Sequence, residues 1–191
     1  MSRSGPPRAA TPTACHTARV QRCDECGFVY DDHGPDMVGD ELAALGPRYR
    51  SRLVGGEDAG RRGRLTRRPE PSVWSALEYA CHVRDVLLAQ RERLLLALVE
   101  DQPGFAPIYR EERVQLARYA AEDPDVVARE LVVVSGLTAR TFAGLATPAW
   151  ERTCRYNFPE PAVHDLLWLG QHTLHEGEHH LIDIDRVLEQ V

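Results

Sequence analysis

From about residue 161 to residue 189 the chain repeats Leu166, Thr173, Gly177, Leu181, Ile184 and Leu188 at steps of three, four and seven, with Leu169 and Val187 widening the stripe on one side. That period lays an apolar strip along one face of a helix, and such a helix must bury its strip against another element. Three other segments can supply the partner. Residues 36–53 recur through Met37, Leu42, Leu45, Tyr49 and Leu53. Residues 73–100 are apolar almost all round, with Trp74, Leu77, Cys81, Leu87, Leu88, Leu95 and Leu98. A third segment starts at Asp123 and Pro124 and runs through Leu131, Val134, Leu137, Thr141 and Leu145. With no alternating apolar and polar run and no internal repeat, the reading is all-α, a four-helix bundle over residues 36–191.

Local punctuation sets the expected boundaries. Asp123 followed by proline at the first helical position is a start signal, and Ser72 after Pro71 is expected to cap the second long helix. Gly46 and Pro47 fall inside the first helix, where a proline is expected to kink or split it. Pro161 is placed in the first turn of the last helix. Linkers of about twenty residues between some helices allow crossover connections in place of simple up-and-down order. Residues 148–161 read as a loop whose mixture of Trp150, Cys154, Tyr156, Asn157 and Phe158 suits the lining of a site. Arg155, Tyr156 and Asn157 are its candidates for substrate contact. Residues 1–35, rich in Pro, Thr, Arg and Asp without apolar period, form an irregular N-terminal extension whose first fourteen residues are expected to be disordered.

Charge narrows the partners. The net charge of −6 repels phosphate backbones. The one dense basic stretch, Arg61, Arg62, Arg64, Arg67 and Arg68, reads as a solvated linker and not as an anion site. No run of about eighteen apolar residues occurs, and the first thirteen residues carry Arg, Pro and Thr where a signal peptide would be apolar. A cytoplasmic protein is expected, with neither nucleic acid nor membrane as partner. Five cysteines in such a chain point to reduced thiols or metal ligands in preference to a disulfide framework.

Five of the eight histidines fall in the last segment: His164, His172, His175, His179 and His180. Two pairs there have the i, i+4 spacing that brings both side chains to one metal ion, His175 with His179 and Glu176 with His180. Helical phase separates them. At about 100° per residue, His180 lies roughly 40° and Glu176 roughly 80° from the centre of the apolar stripe, whereas His175 and His179 lie roughly 140° to 180° away. The inward pair is therefore Glu176 and His180, and His172, His175 and His179 are expected on a solvated face. Trp168 and Ile182 also fall on the far side, where a second subunit of a homodimer or the N-terminal segment would have to cover them. His82, in the apolar Ala80-Cys81-His82-Val83 run, is the ligand a facing helix would offer. His82, Glu176 and His180 make a two-histidine, one-carboxylate set suited to zinc, with iron or nickel as other divalent occupants. An inward glutamate without a cation is costly to bury, so the metal accounts for all three residues at once. Asp183, one turn beyond His180, is a candidate for orienting its imidazole.

Two motifs carry a family resemblance: Trp74-Ser75-Ala76-Leu77 with His82 eight residues after the tryptophan, and Glu176-Gly-Glu-His179-His180-Leu-Ile-Asp183-Ile184. Over residues 36–191 the chain resembles the DinB family, whose relatives include the YfiT-type proteins and the mycothiol-dependent maleylpyruvate isomerase. Many members carry HxxxH on the last helix; aligned through His180 and Asp183, this chain has Glu176 at the first position, as in the mycothiol-isomerase branch, with His175 and His179 as the other register. The resemblance implies a metal-dependent transferase or isomerase that uses a low-molecular-weight thiol against a small electrophilic molecule. Its rival is a non-catalytic, metal-stabilised bundle that binds a small molecule or a partner.

One motif lies outside the bundle. Cys23-Asp-Glu-Cys26-Gly27 is a CxxCG knuckle, whose glycine permits the tight turn that aims two sulfurs at one ion. It is half a site. Cys15, His16, His33 or Cys154 would have to complete it; otherwise it is a reduced surface turn.

Overall fold

The computed structural model describes residues 21–55, 60–157 and 160–191. Four long helices form the body: α1 (Val38–Leu53), α3 (Ala76–Val99), α5 (Pro124–Ala143) and α6 (Leu166–Gln190), with the short α2 (Arg61–Thr66) and α4 (Arg110–Leu116) in the linkers. The long helices touch in the cyclic order α1, α5, α3, α6. The chain therefore crosses a diagonal between α1 and α3 and again between α5 and α6, which is the crossover arrangement that the long linkers allow.

Three of the four long helices start at a side-chain cap. Asp123 accepts from the backbone N–H groups of Asp125 (2.8 Å) and Val126 (3.2 Å), a cap of about 1 kcal/mol. Helix α3 begins three residues later than the Ser72 reading: Ser75 is the cap, its hydroxyl accepting from Glu78 N–H while the Glu78 carboxylate accepts from Ser75 N–H. This reciprocal box satisfies two otherwise orphaned donors, which Ser72 cannot do. Pro47 neither splits nor ends α1. The bond it cannot donate would have gone to the Ala43 carbonyl, on the exposed face where solvent takes its place. Its neighbour Gly46 matters more, because a Cβ there would stand 2.7 Å from Val132 Cα and 3.0 Å from Leu131 O. Only glycine lets α1 lie this close on α5.

The expected loop at residues 148–161 is a hairpin. Strands β2 (Thr153–Asn157) and β3 (Pro161–Asp165) pair antiparallel, with Cys154 opposite His164, and β1 (Gly104–Phe105) adds in parallel through Phe105 and Tyr156. Cys154 and Tyr156 point inward and Arg155 outward. Pro161 thus lies in a strand, and α6 starts at Leu166, where Asp165 caps it by accepting from Trp168 N–H at 2.7 Å. The alternation in β2 is five residues long, too short a run to compete with the helical signals on either side.

Residues 21–35 pack along α6. Gly27 N–H donates to Cys23 O and Cys23 N–H to Phe28 O, both at 2.9 Å, with Gly27 at φ +78°. Arg22 bridges Val29, and a 3₁₀ turn follows at Tyr30–Asp32. Phe28 and Tyr30 are buried. The basic stretch is a short helix with anchored ends and not a solvated linker: Arg61 forks onto Asp125 and Arg68 onto Glu78. Among the described residues no helix is long and apolar enough to cross a membrane. Cys15, His16 and Phe158 lie outside the described residues.

Candidate functional site

Helices α3 and α6 bring His82, Glu176 and His180 together, with one donor atom from each within 4.8 Å of the others. Glu176 Oε2 is 3.7 Å from His82 Nε2 and 3.8 Å from His180 Nε2. These separations exceed hydrogen bonds and approach the edge, about 3.3 Å, of a tetrahedron of ligands 2.0–2.1 Å from an ion. Trp74 packs its ring edgewise on His82 at 5.2 Å, which joins the two halves of that motif in space.

Hydrogen bonding fixes what each imidazole presents. Asp183 Oδ2 lies 2.9 Å from His180 Nδ1, so the proton of a neutral His180 belongs on Nδ1 and its Nε2 carries a lone pair aimed at the Glu176 carboxylate. A lone pair facing a carboxylate is repulsive unless a cation lies between them. His82 Nδ1 is buried with no partner. The donor set and this unrelieved juxtaposition fit a divalent ion.

His172 is buried and not on a solvated face. Its Nε2 is 3.8 Å from Glu176 Oε1, and its Nδ1 is 3.1 Å from the Tyr30 hydroxyl, which also lies 3.2 Å from His175 Nδ1. One hydroxyl proton serves one acceptor. The assignment that satisfies all three groups has Tyr30 donating to His172 and accepting from His175, leaving His172 Nε2–H directed at Glu176 and His175 Nε2 bare. His175 and His179 are likewise half-buried, because residues 21–35 cover that face of α6. The same cover accounts for Trp168, whose indole N–H donates to Gln21 Oε1 at 3.0 Å and whose ring stacks on His164 and His172. Nothing in the apolar pattern of residues 1–35 signals this packing; its traces in the sequence are the CxxCG turn, the aromatic pair Phe28 and Tyr30, and the far-side position of Trp168 on α6.

Electrostatics prepares the cluster. Burial alone would raise the Glu176 carboxyl, but His82 beside it, and His172 and His180 in their protonated forms, outweigh burial and hold it well below the usual carboxylate range. Burial lowers His82 and His172, against the pull of Glu176, and lowers His175 to about 4. These imidazoles are neutral at pH 7, the form that ligates metals.

A cavity of about 260 Å³ opens over His82, His172 and Glu176, walled by Arg93, Phe105, Arg110, Tyr156 and Asn157. Tyr156 and Asn157 thus line it as expected, whereas Arg155 is exposed on the other side of β2. The Tyr156 hydroxyl accepts from Gln90 Nε2 (3.0 Å) and Arg93 Nη1 (2.8 Å), which leaves its own proton free to donate. Arg93 and Arg110 went unnoticed in the sequence, where single arginines carry no pattern.

A four-helix bundle with crossed connections and a histidine and carboxylate cluster between two helices, open to a cavity, is a bundle built around a polar centre. The chain belongs to the DinB superfamily, whose family model matches residues 62–184. Its fold is similar to that of YfiT from Bacillus subtilis, described as a probable metal-dependent hydrolase with an unusual four-helix bundle topology. The two share 17% identity at a TM-score of 0.68 over 80% of this chain and 85% of that one. No curated protein matches.

Proposed function

We propose that this chain is a metal-dependent enzyme in which His82, Glu176 and His180 hold a divalent ion, zinc above iron or nickel. It would transfer a nucleophile, a low-molecular-weight thiol, to a small electrophilic molecule. The observation that supports this reading most is the convergence of His82 Nε2, His180 Nε2 and the Glu176 carboxylate beside a cavity that His82 and Glu176 line. Three protein donors leave a position for an exogenous ligand, as catalytic sites require. Held by His82, Glu176 and His180, such an ion would lower the pKa of a bound thiol or water and so supply a nucleophile at neutral pH.

The chain's own groups serve the rest. Arg93 is held by Tyr156 and Gln90 and lies over the Tyr156 ring at 5.0 Å, so it presents a fixed positive charge to an anionic substituent. Arg110, at the same wall, is paired with Glu111 at 3.4 Å. The free proton of Tyr156 can donate to a substrate oxygen. Phe105 and the β1–β2 edge exclude water from one side. The description of YfiT favours a second reading, in which water and not a thiol is the nucleophile.

The test is metal analysis of the purified chain with His82→Ala and His180→Ala, followed by thiol consumption against a panel of electrophiles with and without chelator. Each variant is expected to lose the ion and the chelator-sensitive turnover. Metal content unchanged in both variants would defeat the proposal; an ion bound without turnover would leave the non-catalytic bundle; turnover without thiol would select hydrolysis.

A further inference from the structure

The knuckle that the sequence leaves half complete finds its other half on α6. Cys23, Cys26, His175 and His179 offer four donor atoms that all lie within 4.8 Å of one another, although 148 residues lie between Cys26 and His175 in the chain. We propose that these four residues bind a second, structural zinc ion that clips the N-terminal segment onto the last helix. None of the partners expected from the sequence takes this role among the described residues. Cys154 is buried in β2 opposite His164, and His33 Nδ1 sits 2.8 Å from Glu41.

Four observations carry the assignment. First, Cys23 Sγ stands 3.7 Å from His179 Nδ1. A tetrahedron with Zn–S of 2.3 Å and Zn–N of 2.0–2.1 Å has an S to N edge of about 3.6 Å. Second, His175 Nε2 is buried and has no hydrogen-bond partner, while its Nδ1 is engaged by Tyr30. The unengaged nitrogen is the one left for an ion. Third, His179 is oriented in the same manner by its opposite nitrogen: Nε2 faces Glu25 Oε2 at 3.4 Å and Asp183 Oδ2 at 3.5 Å, so Nδ1 is the bare atom directed at the sulfur. Fourth, Gly27 in the left-handed region closes the turn that brings both thiols to one side, and the two cysteines are free, not joined in a disulfide.

The chemistry follows from the donor set. Two thiolates neutralise a divalent ion and two neutral imidazoles complete the tetrahedron, so no position remains for substrate and the site is structural. Soft sulfur donors favour zinc over magnesium or calcium. The clip also has a structural purpose. Residues 21–35 show no helical period and reach the bundle chiefly through Phe28 and Tyr30, yet Tyr30 orients His172 beside Glu176. An ion on the knuckle holds that hydroxyl in place.

The experiment uses the full chain, purified reduced, stripped of metal and loaded with cobalt(II). The expected spectrum shows a thiolate-to-cobalt charge-transfer band of a tetrahedral site. This band is absent from any nitrogen and oxygen site, so its appearance is independent of the three-residue centre proposed above. It should survive His82→Ala and vanish in Cys23→Ser/Cys26→Ser. In zinc at a hundredfold excess over Kd, the wild-type melting temperature should exceed that of the double variant by about 5–10 °C. Should the double variant fold poorly, His179→Gln alone is expected to lose or shift the band. A wild-type protein that shows no charge-transfer band overturns the proposal. So does a band unchanged in both sets of variants, or an intact mass showing that the two cysteines form a disulfide under reducing purification.

Discussion

The two clusters on α6 differ by one residue in register and by a great deal in surroundings. Glu176 and His180 face α3 and a cavity; His175 and His179, about 100° around the helix, face the knuckle of the N-terminal segment. The inner set has three protein donors from two bundle helices and an opening to solvent. The outer set has four donors, two of them sulfur, and does not line the cavity beside Glu176. An incomplete coordination sphere beside a cavity suits chemistry, and a complete one at a chain crossing suits cohesion. The contrast shows how one helix can serve both purposes: a single turn presents one donor pair to its core and another to its outer cover.

The largest effect that would sharpen this contrast is expected from Glu176→Gln. The carboxylate is the only anionic donor of the inner set, so its loss should weaken divalent-ion affinity there by more than the factor of about 10–100 that loss of an orienting partner costs. Competition with a chromogenic chelator measures this, and the outer charge-transfer band in cobalt should persist. Loss of both ions together would show that the two sets are one site and break the comparison.

Asp183→Asn probes the residue the two sets share, since its Oδ2 lies 2.9 Å from His180 Nδ1 and 3.5 Å from His179 Nε2. The shorter contact is the stronger anchor. Inner-site affinity is expected to fall by about 10–100-fold and outer-site affinity by less, read as two separate transitions in a chelator titration. Equal losses would mean that Asp183 does not distinguish the two imidazoles.

What could be read from the chain follows the same division. The phase of α6 picks out Glu176 and His180 because their partner, His82, sits on another periodic helix, and periodic elements announce the faces they turn inward. The four bundle helices are legible for that reason too, and so is the Ser75 cap, whose Ser-x-x-Glu spacing to Glu78 was available and outranks Ser72. The outer pair was not legible. Its partners lie in a segment without period, and nothing local says which distant histidines a CxxCG turn will meet. The hairpin at Thr153–Asn157 and Pro161–Asp165 was missed because its alternation spans five residues per strand, while Arg93 and Arg110 enter the cavity wall only through tertiary packing.

The smallest expected effect is the most discriminating. Tyr30→Phe keeps the buried ring that packs near Phe28, Trp168 and His175 but removes the hydroxyl shared by His172 and His175. Losing one hydrogen bond of about 0.5–1.5 kcal/mol at each imidazole predicts a decline of roughly threefold to tenfold in outer-site zinc affinity. His175 can then turn, and its bare nitrogen is no longer fixed. At the inner set the same loss acts one step removed, through His172 on Glu176, so affinity there should change less while turnover, which depends on the carboxylate's orientation, declines. If Tyr30→Phe instead leaves the outer site untouched and lowers inner affinity, then the hydroxyl serves His172 alone. The knuckle in that case holds its ion without help from the segment that follows it, and the two sets are coupled only through Asp183.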